Sequence, residues 1–286
     1  MDLRTFARLT RIEHAFMIAL AAVIGEIVAA NSIPAAGFLA VSCLVPFFIC
    51  LASFALNDLL DVESDRINKR ADRPLVSGEA SRPEALASAV LGFLAGNLIA
   101  YFISPIAFLI AFAFSLLAIL YDAKLKDLPL AGNLYIAATM AIPFIYGAMI
   151  VANGVLSSDV LVLSAMAFVI GLGREFMGTA RDVKGDREAR KASTLPMMIG
   201  VSNTLVLASL LYLLAIVISY IPYFSPTSVY AEKLAYALPI TLANALFAFA
   251  AYKSLTEGER FLRRARNISL LALGIGLLGF LAGAVL

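Results

Sequence analysis

Residues 35–57 read AAGFLAVSCLVPFFICLASFALN, and residues 58–70 follow directly with DLLDVESDRINKR. The first stretch contains no charged side chain. A helix needs about 20 mostly apolar residues to cross the hydrocarbon core of a bilayer. The second stretch is densely charged, and charged side chains are costly within lipid. Together the two stretches predict a membrane-spanning helix that ends at a polar surface.

The composition extends this interpretation to the whole chain of 286 residues. Hydrophobic residues make up 62% of the sequence, charged residues make up 15%, and the mean hydropathy is +0.91. Soluble domains are about 45–50% apolar and about 25% charged, which argues against a soluble globular enzyme. The same composition argues against a disordered chain. The single histidine, His14, leaves little basis for a zinc site or a histidine-based catalytic triad.

Eight further apolar stretches bring the number of predicted spans to nine. The spans cover residues 14–31, 35–57, 82–101, 104–121, 132–152, 159–178, 195–221, 233–254 and 267–286. We therefore predict an all-α integral membrane protein that forms one domain over residues 1–286. Its nine transmembrane helices are expected to surround a central cavity open to the cytoplasmic face. A weak internal repeat relates spans one to four to spans five to eight, with span nine appended.

The lysine and arginine residues set the predicted orientation. With the N-terminus inside the cell, 21 of the 22 basic residues fall on the inner side, and only Lys233 lies outside. Basic residues concentrate in cytoplasmic segments of membrane proteins. The distribution therefore predicts a multi-pass protein of the cell membrane with a cytoplasmic N-terminus. Because topology uses these residues, we expect no nucleic-acid partner, and no obligate protein partner is evident.

The first charged segment carries oxygen ligands at helical spacing. Asn57, Asp61 and Asp65 lie four residues apart, on one face of a helix that continues past the membrane, and Asp58 lies beside them. Carboxylates at this spacing repel one another, and the C-terminal end of a helix is itself partly negative. A cation relieves both effects. Oxygen ligands suit Mg²⁺, which often shares its coordination shell with substrate phosphates.

A second acidic pair, Asp182 and Asp186, repeats this spacing at the end of the sixth span and on the same predicted membrane face. Asp61 and Asp182 are 121 residues apart, in keeping with the predicted repeat. Two facing carboxylate sets with basic residues between them form a site for a Mg²⁺–diphosphate. The metal joins carboxylates to phosphates, and arginine and lysine neutralise the remaining charge. The predicted metal ligands are Asn57, Asp58, Asp61, Asp65, Asp182 and Asp186.

At these residues the chain resembles the UbiA-type intramembrane prenyltransferases. The first family motif, N-D-x-x-D-x-x-x-D, is matched by Asn57, Asp58, Asp61 and Asp65. The second motif usually reads D-x-x-D-x-x-x-D. Here Asp182 and Asp186 match, whereas Thr179 stands at its first position and removes one possible carboxylate. Further family segments contain Arg66, Arg73, Lys126 and Lys191.

The resemblance implies Mg²⁺-dependent transfer of an isoprenyl group from its diphosphate to a lipophilic acceptor, within reach of membrane lipid. The predicted diphosphate-binding residues are Arg66, Arg73, Lys124, Lys126, Arg181 and Lys191. The predicted catalytic residues are Asp61, Asp182 and Lys126. The pattern of the sixth span most resembles family members that form archaeal-type ether lipids. Those members add a geranylgeranyl group to the hydroxyl of geranylgeranylglyceryl phosphate.

Two alternatives remain open on the sequence. The first is a prenyltransferase that acts on an aromatic acceptor in quinone or haem biosynthesis, because the sequence fixes neither the acceptor nor the tail length. The second, more distant, is an ion transporter. A transporter places its site near the middle of the bilayer, often at broken helices. Here both acidic clusters lie at one surface, which favours the enzyme.

Overall fold

A computed structural model describes residues 1–151, 155–190 and 193–286. The long helices are α2 (Ile12–Ala30), α4 (Leu44–Leu60), α7 (Arg82–Ile103), α8 (Pro105–Ala123), α9 (Ala131–Val151), α10 (Ser158–Arg190), α12 (Val201–Ser219), α14 (Leu234–Glu257) and α15 (Leu262–Val285). The short helices are α1 (Leu3–Thr10), α3 (Ala36–Ser42), α5 (Val62–Ile67), α6 (Pro74–Ser77), α11 (Leu195–Ile199) and α13 (Ile221–Phe224). Single 3₁₀ turns cover Leu125–Asp127 and Gly258–Arg260.

The predicted class and span count are confirmed. Within the described ranges, nine helical segments are long and apolar enough to cross a membrane. The start of the seventh span differs from the predicted one. The stretch 195–221 is interrupted at Gly200, whose φ of 85° lies outside helical geometry. The five residues of α11 rise only about 7.5 Å, too little to cross a bilayer. The seventh span therefore begins at Val201.

Ser104 and Pro105 separate the third and fourth spans, as predicted. Proline disfavours helical geometry in the residue before it, and Ser104 is extended, with a φ of −170°. Its hydroxyl then accepts a hydrogen bond from the backbone amide of Ala107 at 3.1 Å and caps the start of α8. Two residues are enough to reverse the chain between adjacent membrane helices.

The helices close into a ring around a central cavity. From α2 the ring runs through α9, α10, α12, α14 and α15 and returns to α2, while α4 and α8 join α2 to α9 on the other side. The contact between α2 and α9 is the closest. A Cβ atom on Gly25 would overlap the backbone of Phe144, and one on Gly147 would overlap the backbone of Ala22.

Two elements extend beyond the apolar layer at one end of the ring. At about 1.5 Å per residue, the 33 residues of α10 are about 50 Å long, whereas the hydrocarbon core is about 30 Å thick. Opposite, α5 continues the direction of α4, because the Asp61 amide donates to Asn57 and the Asp65 amide donates to Asp61. The helix α5 packs against α10, and this contact brings the two acidic motifs together.

Candidate active site

The ring encloses a cavity of about 390 Å³. Its walls include five of the six predicted metal ligands: Asn57, Asp61, Asp65, Asp182 and Asp186. Three predicted diphosphate-binding residues also line it, namely Arg73, Lys126 and Arg181. The arrangement predicted from the two motifs, facing carboxylates with basic residues between them, is therefore present in the fold.

Lys126 and Asp61 form the centre of the first acidic set. The Lys126 ammonium lies 2.6 Å from Asp61 Oδ1 and 3.3 Å from Asp122 Oδ1. The Asn57 amide donates to Asp61 Oδ2 at 2.9 Å and to Asp122 Oδ1 at 2.8 Å. Lys126 is 9% exposed, so its charge is held in place by carboxylates rather than by water.

Asp58 lies behind the cavity wall. It is 1% exposed, and its Oδ1 accepts hydrogen bonds from Arg73 at 2.6 Å and from Arg11 at 2.9 Å. It does not line the cavity. This carboxylate, predicted as a metal ligand, instead fixes two arginines from the N-terminal segment and the basic loop against α4.

Asp65 combines burial with a basic neighbour. Arg73 Nε lies 3.5 Å from its Oδ2. Burial raises the pKa of the Asp65 carboxyl to about 6 despite nearby arginines. A carboxyl in this state takes up a proton readily, so a cation that uses it as a ligand competes with that proton.

The second acidic set lies on the projecting part of α10. Arg181 holds Asp182 in a two-point contact, with Nε–Oδ1 and Nη2–Oδ2 distances of 2.8 and 2.5 Å. Arg70, from the segment after α5, lies 3.9 Å from Asp182 and links the two sets electrostatically.

Thr179 turns its hydroxyl back to the carbonyl of Glu175 at 3.1 Å. Asn68 accepts from the Gly185 amide at 2.9 Å and fastens the segment after α5 to α10.

Two predicted diphosphate-binding residues, Arg66 and Lys124, are not brought into the cavity. Arg66 is exposed and lies 3.8 Å from Glu63, and Lys124 is exposed at the end of α8. Neither belongs to the cavity wall. Lys191 lies outside the described residues.

Six charged residues that the sequence did not single out as site residues line the same cavity: Arg11, Arg70, Asp122, Arg174, Glu175 and Arg266. Arg174 could have been identified from the sequence, because an ionisable residue within a membrane helix is a functional candidate by default. Asp122 also lies one helical turn before Lys126. Nothing local marks Arg11, Arg70 or Arg266, since each is one of several arginines in a basic segment.

The oxygen donors around the cavity fit Mg²⁺. Among the described residues, no group of three or more acidic, histidine or cysteine side chains is gathered tightly enough to hold a metal by itself. Magnesium usually binds through one or two carboxylates and completes its shell with water and substrate phosphates. Carboxylates on two facing walls suit that mode of binding.

Comparisons with known proteins agree with this arrangement. The sequence profile of the UbiA prenyltransferase family matches residues 17–272. The digeranylgeranylglyceryl phosphate synthase of Archaeoglobus fulgidus is 41% identical over 277 residues, which cover 96% of this chain and 94% of that protein. A solved structure concerned with digeranylgeranylglyceryl phosphate synthase is 26% identical, with a TM-score of 0.71 over 99% of this chain and 98% of that one. A UbiA homologue from Archaeoglobus fulgidus, solved with GPP and Mg²⁺, is 18% identical, with a TM-score of 0.63 over 96% of this chain and 99% of its own.

Proposed function

The chain belongs to the UbiA prenyltransferase family, and on this premise we propose that it transfers a geranylgeranyl group from its diphosphate to the hydroxyl of geranylgeranylglyceryl phosphate. The chain is a multi-pass membrane protein and a prenyltransferase. The observation that carries the proposal is the meeting of two acidic motifs and several basic side chains in one cavity. The 41% identity to a digeranylgeranylglyceryl phosphate synthase supports the choice of acceptor.

The charges in the cavity suit a metal–diphosphate. Asn57, Asp61 and Asp65 on one wall and Asp182 and Asp186 on the other would hold Mg²⁺. When bound, Mg²⁺ supplies Lewis-acid stabilisation of the departing diphosphate. Lys126, Arg73 and Arg181 now neutralise the same carboxylates. When the substrate binds, the carboxylates can turn to the cation and the bases to the phosphates, so that no buried charge is left unpaired.

Lys126 and Arg181 are placed to act on the leaving group. Negative charge grows on the diphosphate as the bond between carbon and oxygen breaks. Cationic groups already fixed in position stabilise that charge more in the transition state than in the ground state, which raises kcat. Contacts with Asp61 and Asp182 hold both side chains at the cavity wall before the substrate arrives.

Aromatic and apolar side chains on the same walls suit an allylic cation. The rings of Tyr121 and Tyr135 stack with centroids 4.9 Å apart, and both line the cavity. Aromatic faces attract cations. The apolar part of the wall excludes water that would otherwise capture the cation before the acceptor does. We further propose that this end of the ring faces the cytoplasm, because almost all basic residues lie on its side of the predicted topology.

The test offers purified protein a choice of acceptors. The protein is incubated with Mg²⁺ and radiolabelled geranylgeranyl diphosphate, together with geranylgeranylglyceryl phosphate or an aromatic acid such as 4-hydroxybenzoate. We expect label in the double-tailed phospholipid and none in the aromatic product. Label in the aromatic product alone would replace the proposed acceptor with the aromatic class. No transfer to either acceptor would contradict both.

The carboxylates have their own test, with an acidic neighbour as the control. Asp61→Ala and Asp182→Ala should each reduce turnover below a tenth of the wild-type rate, because each removes a ligand for the cation. Glu63→Ala, an exposed acid two residues from Asp61, should remain within twofold of the wild type. Steady-state rates at saturating Mg²⁺ decide the matter. Activity above a tenth in both aspartate variants would contradict the metal assignment.

A further inference from the structure

Two arginines of the cavity wall have no carboxylate in direct contact among the described residues. Arg174 lies on α10, Arg266 lies on α15, and both line the cavity. Neither forms an ion pair within 4.0 Å with a carboxylate of the described chain, whereas each of the other basic residues of the wall does. Those paired residues are Arg11, Arg70, Arg73, Lys126 and Arg181.

Neutral groups tie the Arg174 side chain to the backbone of α15 at Arg266. Arg174 Nε donates to Ser269 Oγ at 3.0 Å, and the Ser269 hydroxyl donates to the Arg266 carbonyl at 2.9 Å. Ser269 follows Arg266 by three residues, which puts the two on the same face of α15. Tyr212 packs against Gly173 and is 1% exposed. Tyr212 lines the cavity, and its hydroxyl forms no hydrogen bond of normal length and angle with a described residue.

Acidic and basic groups both act on this pair: Glu175 acts on Arg174, and Asp72 acts on Arg266. The charged groups that act most on Arg266 are Arg11, Arg181, Arg70 and Arg174. His14 lies among Arg174, Arg11 and Arg266. Arg11, Arg70 and Arg181 already contact carboxylates. An anion is therefore most favourable beside Arg174 and Arg266, which contact none among the described residues. An ionisable side chain on a membrane-spanning helix is by default a candidate functional residue.

This cationic pocket is distinct from the diphosphate-binding wall. Arg174 precedes Asp182 by eight residues of one continuous helix, a separation of about 12 Å along the axis. An anion at Arg174 therefore sits deeper than one held near Asp182. The pocket is continuous with apolar wall formed by Leu270 and Leu273. Leu273 also lines a second, almost wholly apolar cavity of about 70 Å³ between α2, α9, α10, α14 and α15, which offers room for part of an alkyl tail.

We propose that Arg174 and Arg266 bind the phosphate of the acceptor, with Ser269 orienting Arg174 and the Tyr212 hydroxyl available as a further donor. The assignment rests on the proposed function, because that function requires an acceptor carrying a phosphomonoester. A guanidinium suits this ligand, since its planar fork can meet two phosphate oxygens at once. The cavity thus separates two anions by position: the donor diphosphate lies near the carboxylates, and the acceptor phosphate lies about two helical turns deeper.

The test varies donor and acceptor independently. In Arg266→Met, the KM for geranylgeranylglyceryl phosphate should rise about 10- to 100-fold, the effect of losing charge-assisted hydrogen bonds to an anion. The KM for geranylgeranyl diphosphate should change less than twofold. Arg266→Lys retains the charge and should recover part of the loss. Wild-type protein should prefer the phosphorylated acceptor to geranylgeranylglycerol, and Arg266→Met should lose most of this preference.

A matched control and a binding measurement keep the outcomes separate. Arg263→Met changes an exposed arginine on the same helix, outside the cavity, and should behave as the wild type does. Binding of geranylgeranylglyceryl phosphate in EDTA, without donor, should weaken in Arg266→Met and in Arg174→Lys. A rise in the donor KM instead would reassign the arginines to the diphosphate. Unchanged acceptor KM and binding would overturn the phosphate pocket alone, whereas no wild-type transfer to this acceptor would overturn the proposed function as well.

Discussion

Lys126 shows how one side chain can serve both the resting and the reacting state of the site. It lies between Asp61 and Asp122 at 2.6 and 3.3 Å, so its charge is paired with carboxylates when no substrate is bound. We predict that Lys126→Met lowers kcat by about 10²–10³-fold, as the loss of one fixed electrostatic donor does in other enzymes. Arg181→Met should behave similarly. Steady-state kinetics at saturating Mg²⁺ measure both.

The controls for these two variants are lysines away from the cavity. Lys69 is exposed at the turn after α5, and Lys253 is paired with Glu257 at 2.7 Å on the surface of α14. Replacing either by Met should leave kcat within twofold of the wild type. If all four variants lose activity equally, the basic residues serve folding or topology, and the role given to Lys126 and Arg181 is wrong.

We predict that Asp65 gives the proposed metal site a pH dependence. Its pKa is raised to about 6 by burial, so the carboxyl is protonated below that value and ionised above it. Only the ionised form binds a cation well. Divalent-metal affinity should therefore weaken as pH falls through 6, by up to about tenfold per pH unit for one competing proton. Mn²⁺ binding followed by electron paramagnetic resonance, without diphosphate, tests this between pH 5 and 7.5.

Asp65→Asn is the reference for that measurement. An amide cannot ionise, so this variant should bind Mn²⁺ more weakly at pH 7.5 and lose the part of the pH dependence that belongs to position 65. Parallel pH profiles for the wild type and Asp65→Asn would show that other carboxylates set the dependence.

At the scale of elements, glycines allow close helix packing in the last span and also elsewhere in the ring. Gly279 and Gly283 do approach neighbouring side chains. The tightest approach, however, joins α2 to α9, where Gly147 faces the backbone of Ala22. We predict that Gly147→Ala lowers the free energy of unfolding by about 1–3 kcal/mol, because backbone cannot move aside as a side chain can. Thermal unfolding in detergent provides the measurement.

Gly274→Ala is its counterpart. No atom lies within 4 Å of a Cβ built on Gly274, in the middle of α15. Alanine also favours helix over glycine, so this variant should be as stable as the wild type or slightly more so. Equal destabilisation by both substitutions would mean that glycine flexibility, rather than the contact between α2 and α9, is what the protein requires.

At the scale of the whole molecule, an odd number of spans places the two termini on opposite faces of the membrane. With the N-terminus inside, the C-terminus lies outside, and the turn at Gly258–Arg260 lies inside. Alkaline phosphatase is active only outside the bacterial cytoplasm. We predict activity for its fusion after Leu286 and none for a fusion after Arg260. The reverse pattern would turn the cavity to the outer face and contradict the proposed orientation.

The sequence by itself determined the nine spans, the all-α class and the chemistry of the two acidic motifs. Hydropathy and charge at fixed helical spacing are local properties, so they can be seen without knowledge of packing. The pairing of the motifs across one cavity was also within reach, because both lie where a span meets the same predicted membrane face. The end of α10 was harder to predict from the sequence, because its apolar part stops near residue 178 but the helix continues to Arg190.

Only the tertiary structure decided which charges face the cavity. Arg66 and Arg70 are four residues apart and would share one face of a continuous helix. Instead α5 ends at Ile67, Lys69 adopts a φ of 53°, and the chain turns, so that Arg66 points outward and Arg70 lines the wall. Arg174 and Arg266 are 92 residues apart, and they line one cavity only because α10 and α15 pack in one ring. Contacts of this kind depend on helix rotation and on distant pairing, which no local pattern in the sequence records.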